Sequence, residues 1–320
     1  MDELKDSNMS VSDDPQKQAF RISVYFKGMG MGAADVVPGV SGGTVAFITG
    51  IYEELINSLT AFNVGALKLL FAGKIKALWQ HVNASFLLVL FGGILTSIFS
   101  LTKFISWALI NHPLLVWSYF FGLIFASVIT MGRDINFKRW LNALVFVLAA
   151  WLAFEITRVS GVQASPSTLF FFFAGAIAIC AMILPGISGS FILLLLGMYQ
   201  PVIDAVHNFN GLVLITFAAG CAVGLLSFTH LLSWLLRRFH AATLAALTGF
   251  MLGSLNKVWP WKTSVDSVAL GGVLESNVWP SQYQLVTQAD PQLAGVLLMA
   301  GLGLLTVFLI NLSNNAKTAD

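Results

Sequence analysis

Charge is the scarcest property of this chain. Of 320 residues only 10% are Asp, Glu, Lys or Arg, against 57% hydrophobic residues, and the mean hydropathy is +0.81. A soluble fold of this length needs a polar exterior that these residues do not supply. Residues 161–203 contain no charged side chain at all. A helix crossing the hydrocarbon core takes about 20 residues, so that stretch has room for two apolar segments. The composition implies an all-α polytopic membrane protein embedded in a bilayer, and it excludes a soluble enzyme or a nucleic-acid-binding module.

Cysteine is nearly as rare. Cys180 and Cys221 both lie inside apolar segments and read as small buried hydrophobes, not as a disulfide or a metal site. The five histidines have no metal-ligand spacing, and no motif calls for a cofactor. A signal peptide is also missing from the reading. Residues 1–19 are polar, acidic and serine-rich, and are expected to form a disordered tail.

What the chain does have is one unusual segment, present twice. Gly32–Tyr52 reads GAADVVPGVSGGTVAFITGIY and Ile179–Tyr199 reads ICAMILPGISGSFILLLLGMY. An offset of 147 pairs Phe26/Phe173, Gly28/Gly175, Ala34/Ala181, Pro38/Pro185, Gly39/Gly186, Ser41/Ser188, Gly42/Gly189, Gly50/Gly197 and Tyr52/Tyr199. The shared letters are mostly Pro, Gly and Ser, so apolar composition does not account for the match. A duplicated helix breaker inside long apolar stretches is a transporter signature.

Apolar segments able to span a bilayer are 84–110, 113–131, 140–156, 211–236, 241–255 and 292–312. Two more, 20–58 and 168–206, carry the Pro-Gly-x-Ser-Gly break at their middle. Each half of such a segment is too short for a comfortable full span, so each is expected to form a re-entrant hairpin. Non-helical backbone at that depth is tolerated only where it faces protein or a polar cavity.

Charge then orients the chain. With both hairpins returning to their own side, one side collects Lys5, Lys17, Arg21, Lys27, Lys68, Lys74, Lys76, Arg133, Lys138, Arg139, Arg237, Arg238 and Lys317. The other side has Arg158, Lys257 and Lys262, with Lys103 inside a span. The positive-inside rule puts both termini in the cytoplasm.

The duplication extends past the hairpins. An offset of 127 pairs Gly93/Gly220, Ser100/Ser227, Thr102/Thr229, Ser106/Ser233, Trp107/Trp234, Gly122/Gly249 and Ser127/Ser254. The change of offset marks an insertion in the first copy near the 64–83 loop. Residues 20–158 and 159–312 are therefore read as two halves, each a hairpin plus three spans, with a cytoplasmic tail at 313–320. Three is odd, so the second half enters the membrane upside down and the whole is an inverted repeat.

The breaks carry the chemistry. Pro38 and Pro185 end the helix before them, and Gly39, Gly42, Gly43, Gly186 and Gly189 allow a sharp turn and close approach of a ligand to the backbone. Ser41 and Ser188 are N-caps for the following half-helix, with the Thr44 and Ser190 hydroxyls beside them. A half-helix N-terminus pointing inward offers N–H groups and positive potential to an anion. Lys27 and Asp35 fall within the first hairpin. Asp35 is read either as part of the site or as a partner of Lys27. Glu53 sits near the end of the returning half-helix, Arg133 at a helix end as an orientation anchor or headgroup contact. Ionised carboxylates are costly at membrane depth, which makes Asp35 and Glu53 candidates for a coupling proton. Trp79, Trp140, Trp259, Trp261 and Trp279 are expected at the membrane interfaces. The 256–291 loop is read as an external cap.

The GAADVVPGVSGGT…GIYE stretch with its second copy AMILPGISGSF…LGMY resembles the polyprenyl-phosphate transporter family, formerly a bacterial domain of unknown function. The likeness covers about residues 20–312. It implies a flippase that returns undecaprenyl phosphate from the outer to the inner leaflet of the bacterial cytoplasmic membrane, for reuse in envelope synthesis. Carried onto this chain, the motif positions are Asp35, Pro38, Gly39, Ser41, Gly42, Gly43, Thr44, Pro185, Gly186, Ser188, Gly189 and Ser190. Two other readings stay open on the residues: a transporter or channel for a small soluble anion, and an intramembrane lipid-phosphate enzyme. The second lacks an Arg/Ser/His cluster, a carboxylate pair and His-x-x-x-His. The oligomeric state stays open too, a homodimer included.

Overall fold

The computed structural model describes residues 15–37, 39–159, 167–267 and 272–319. The expected tail up to residue 14 and the break proline Pro38 lie outside the described residues.

The chain runs α1 (Pro15–Val36), α2 (Gly42–Ile48), α3 (Tyr52–Thr60), α4 (Val64–Phe71), α5 (Ile75–His81), α6 (Ala84–Asn111), α7 (Pro113–Arg133) and α8 (Trp140–Arg158). It continues through α9 (Thr168–Ile183), α10 (Gly189–Leu195), α11 (Tyr199–His207), α12 (Gly211–Arg238) and α13 (His240–Ser254). After β1 (Lys262–Ser267), β2 (Gly272–Asn277) and α14 (Pro280–Thr287), the long helix α15 (Leu293–Ala319) ends the described chain. Among the described residues, α6, α7, α8, α12 and most of α15 are long and apolar enough to cross a membrane. Their outward faces are apolar and exposed, as at Ile110, Trp151 and Leu297. That is the surface of a protein solvated by lipid. The chain is a multi-pass α-helical membrane protein.

Several expectations need correction. The expected span 241–255 is a helix of 15 residues, α13, which rises only about 22 Å and falls short of the hydrocarbon thickness. Of the tail expected to be disordered over 1–19, residues 15–19 already belong to α1, which starts at Pro15. The 64–83 loop is two short helices, α4 and α5. They expose Phe71, Ile75 and Trp79 beside Lys68, Lys74 and Lys76, the pairing of a segment lying in the headgroup layer.

The 256–291 loop adds a two-stranded hairpin to an otherwise helical fold. β1 and β2 pair antiparallel from Lys262↔Asn277 to Ser267↔Gly272, and α14 follows. Trp261, expected at an interface, is buried with Leu114 and Val296, and its indole N–H donates to the Pro291 carbonyl at 3.0 Å. A buried indole needs that partner. Trp259 donates to the Val278 carbonyl at 2.9 Å and meets Trp279 edge-on.

Packing repeats as the sequence does. α1 lies along α6, and α9 along α12. A Cβ on Gly28 would fall 2.3 Å from the Leu90 carbonyl oxygen, and one on Gly93 2.1 Å from that of Tyr25. In the other copy, Gly175 meets the Phe217 oxygen at 2.4 Å and Gly220 that of Phe172 at 2.0 Å. Gly28/Gly175 and Tyr25/Phe172 are separated by 147 and Leu90/Phe217 and Gly93/Gly220 by 127, so each glycine contact recurs between residues that are mates in the repeat. The remaining pairs cross between copies. α7 packs on α15 with Gly122 against the Ala300 oxygen, and α13 packs on α8 with Gly249 against that of Phe146. Small residues are what let membrane helices approach so closely. The largest buried cluster joins α1, α2, α3, α6, α7, α12, α13 and α15 through Val24, Ile56, Leu90, Ile124, Met251 and Val307.

Candidate functional site

The two helix breaks meet. α1 ends at Val36, and the chain turns through Gly39, whose φ of +84° is a left-handed conformation that favours glycine. Its mate Gly186 has a φ of +94°. After each turn a helix of seven residues begins, α2 or α10, and packs back on the helix that preceded it. The Gly186 N–H donates to Thr44 Oγ1 at 2.8 Å, joining one break to the other. Ser41 Oγ donates to the Met182 carbonyl at 2.9 Å, and the Tyr52 hydroxyl to that of Ile183 at 3.2 Å. Carbonyls in the last turn of a helix have no partner of their own, and here the first break supplies two. Ser41 and Thr44 are fully buried and Ser188 nearly so.

The returning arm is not one half-helix. It breaks again at Gly50 and Gly197, with φ of +73° and +64°. α11 leaves α10 at 108°. α2 and α10 are each only about 10 Å long, so much of the returning path is carried by α3 and α11.

The start of α2 does not present free donors. Gly42 N–H donates to Asp35 Oδ1 at 2.7 Å, Gly43 N–H to Ser41 Oγ at 3.0 Å, and Thr44 N–H to the Ser41 carbonyl at 2.9 Å. An internal carboxylate therefore occupies the place where a bound anion was expected. Ser188 holds the N-cap position of α10 without a side-chain cap, contrary to expectation, and its hydroxyl lies 2.7 Å from that of Ser190. Glycine is required beyond the turns. A Cβ on Gly42 would fall 2.5 Å from Asp35 Oδ2, and one on Gly43 2.7 Å from the Ile183 carbonyl oxygen. The corresponding distance at Gly189 is 2.8 Å, to the Ala178 carbonyl oxygen.

Lys27 lies apart from the break contact. Its ammonium donates to the Thr49 carbonyl at 2.7 Å, at the far end of α2. It lines a cavity of about 510 Å³ with Ser23, Phe26, Tyr119, Phe120, Thr306 and Ile310. One cation and a few hydroxyls beside aromatic and aliphatic walls suit an amphiphile with an anionic end. Glu53 and Arg133 are not brought to the breaks. Glu53 Oε1 lies 2.9 Å from His240 Nε2, with both side chains more than half exposed. Arg133 lines a separate cavity of about 390 Å³ between α7 and α15, with Thr130, Leu304 and Phe308.

One residue of the site was missed. Lys257, assigned to the external cap, lays its side chain over the first break: its Cγ would be 2.8 Å from a Cβ on Gly39. Its ammonium stands 4.8 Å from the centre of the Phe191 ring on α10, a cation–π distance. The available signal was a cation three residues past Ser254, ending an uncharged stretch that begins after His240.

Long apolar helices enclosing two joined helix breaks define a multi-pass membrane protein built round a discontinuous-helix centre. The model of the VCA0040-like, undecaprenyl phosphate translocase-like family matches residues 31–271, a span that includes both breaks. The chain belongs to that family. It is 49% identical over 290 residues to the polyprenyl-phosphate transporter of Vibrio cholerae serotype O1, covering 88% of this chain and 94% of that one. It is 31% identical over 261 residues to the polyprenyl-phosphate transporter of Staphylococcus aureus, covering 76% and 88%. No solved structure matches.

Proposed function

We propose that this protein transports a polyprenyl phosphate, undecaprenyl phosphate in a bacterium, from the outer to the inner leaflet of the cytoplasmic membrane. The observation that carries the reading is the bond between the breaks, Gly186 N–H to Thr44 Oγ1 at 2.8 Å. It makes two discontinuities, far apart in the chain, into one polar centre between apolar helices. Irregular backbone and hydroxyls at that depth are tolerated where protein or a polar cavity satisfies them, and a polar centre among apolar helices is a place where a headgroup can be passed. The names of the two relatives supply the substrate class.

The architecture in this proposal is an inverted repeat of two re-entrant hairpins, each followed by three helices in the membrane, of which α13 is too short for a full span, with both termini cytoplasmic. The matched glycine contacts of α1/α6 and α9/α12 support it, as does the excess of Lys and Arg on one side. Transport is by alternating access. The phosphate travels past Ser41, Thr44, Ser188, Ser190 and Lys257 while the isoprenoid tail stays in lipid. The Lys27 cavity, with exposed Phe26 on its wall, receives the lipid on the cytoplasmic side. Exchange of hydrogen bonds between Asp35 and the start of α2 accompanies the change of state. No covalent chemistry is required of these residues.

The experiment is leaflet-resolved transport of polyprenyl phosphate in proteoliposomes. Ser41→Ala combined with Ser188→Ala is expected to abolish transport while folded protein is still recovered. Transport at the wild-type rate would remove the breaks from the mechanism.

A further inference from the structure

A second cationic chamber lies at the base of the β-hairpin and shares Lys257 with the breaks. Arg158 from the end of α8, Lys257, and Lys262 at the start of β1 line a cavity of about 490 Å³. Asn256, Asn277 and Thr157 line it too. The walls are held in place. The Lys262 ammonium donates to the Lys257 carbonyl at 2.6 Å and stands 4.2 Å over the Trp117 ring. Asn277 Nδ2 donates to Asn256 O at 2.7 Å and Oδ1 at 2.8 Å, and Asn256 Nδ2 donates to Thr157 Oγ1 at 2.9 Å. Arg158, 60% exposed, meets Glu155 at 3.6 Å and stands 5.5 Å over the Phe154 ring at the rim.

An apolar chamber adjoins it. A cavity of about 450 Å³ shares Phe154, Asn256 and Asn277 with the cationic one, and its other walls include Phe121, Leu252 and Trp259. Three cations around one volume favour a multiply charged oxyanion, and a guanidinium fork fits phosphate oxygens. An apolar chamber on the same wall fits the first units of a hydrocarbon chain. A free inorganic anion would have no use for the second chamber.

The geometry points to the paired chambers as a loading site for an isoprenoid phosphate, occupied before its headgroup reaches the breaks. This rests on the transport reading above and adds where the substrate first binds and which cations select it. Lys257 connects the two sites, since it lines the chamber while its side chain covers Gly39 and its ammonium faces Phe191. A phosphate moving from the chamber to the breaks therefore keeps one counter-charge throughout.

The test uses full-length protein in nanodiscs, with farnesyl phosphate, farnesol and inorganic phosphate as separate probes in titration calorimetry. Arg158→Gln with Lys262→Gln is expected to weaken farnesyl phosphate binding by about tenfold or more, through loss of two charge-assisted contacts. Farnesol binding should not change. Arg158→Gln alone, at an exposed position, guards against misfolding, and Arg158→Lys should recover part of the affinity. Unchanged affinity in the Arg158/Lys262 variant, with wild-type protein transporting normally, overturns the loading site and leaves the transport reading intact. Absence of transport by wild-type protein, with binding still lost in that variant, sinks the transport reading and keeps the site. Inorganic phosphate binding as tightly as farnesyl phosphate overturns the isoprenoid assignment.

Discussion

Thr44 Oγ1 accepts the amide proton of Gly186 across 142 positions of sequence, in a fully buried setting. One hydroxyl on α2 thus satisfies backbone that the second break leaves open. Thr44→Val keeps the shape and removes the acceptor, leaving a buried N–H unpaired. The expected loss of stability is about 1–3 kcal/mol. Thr44→Ser should restore most of it, as read by thermal unfolding in detergent. Equal stability of the Val and Ser variants would deny the bond any weight.

The two left-handed glycines should respond unequally. Alanine at either position meets a conformational penalty of about 1–2 kcal/mol. At Gly186 the added Cβ would also lie 2.7 Å from Ser254 Oγ and 3.1 Å from the Met251 Cα, and backbone cannot step aside. At Gly39 the neighbour is the flexible Lys257 side chain. Gly186→Ala is therefore expected to be the more destabilised variant, and adding Lys257→Ala should relieve Gly39→Ala in part. Chemical denaturation of the three variants decides the order.

Asp35 and Gly42 separate a structural role from a transport role. Asn at position 35 keeps an oxygen for the Gly42 N–H and loses the charge, so it should fold within about 1 kcal/mol of wild type, while Asp35→Ala should lose about 1–3 kcal/mol. If the carboxylate carries a coupling proton, Asp35→Asn transports at a rate that no longer responds to an imposed proton gradient. A gradient response equal to wild type would free Asp35 from that role.

Glu53 and His240 form an exposed pair, and exposed pairs contribute about 0–1 kcal/mol. Glu53→Gln should change stability by no more than about 0.5 kcal/mol and leave transport intact. A transport defect in a stable Glu53→Gln protein would return this residue to the mechanism.

Much of this was legible before any coordinates. Hydropathy located the long helices, because a bilayer demands about 20 apolar residues of any helix that crosses it. The spacing of Pro, Gly and Ser located both breaks. The β-hairpin was not read from the sequence, since β1 and β2 are six residues each and mix polar and apolar side chains without a sustained period. The second turns at Gly50 and Gly197 were visible as shared letters but not as bends, because one glycine in an apolar run is tolerated inside a helix.

By itself the sequence determined that this protein lives in a membrane, that its unusual segment is duplicated, and which residues break its helices. All three follow from composition and local backbone chemistry, which neighbours in space cannot alter. Only the tertiary structure decided what those breaks touch. It gave the start of α2 to Asp35, bound Thr44 to Gly186, moved Glu53 out to His240 and brought Lys257 in over Gly39. All but the first join residues far apart in the chain, which only folding brings together. At the breaks, a buried donor or acceptor takes whichever partner the packing of apolar helices leaves within reach.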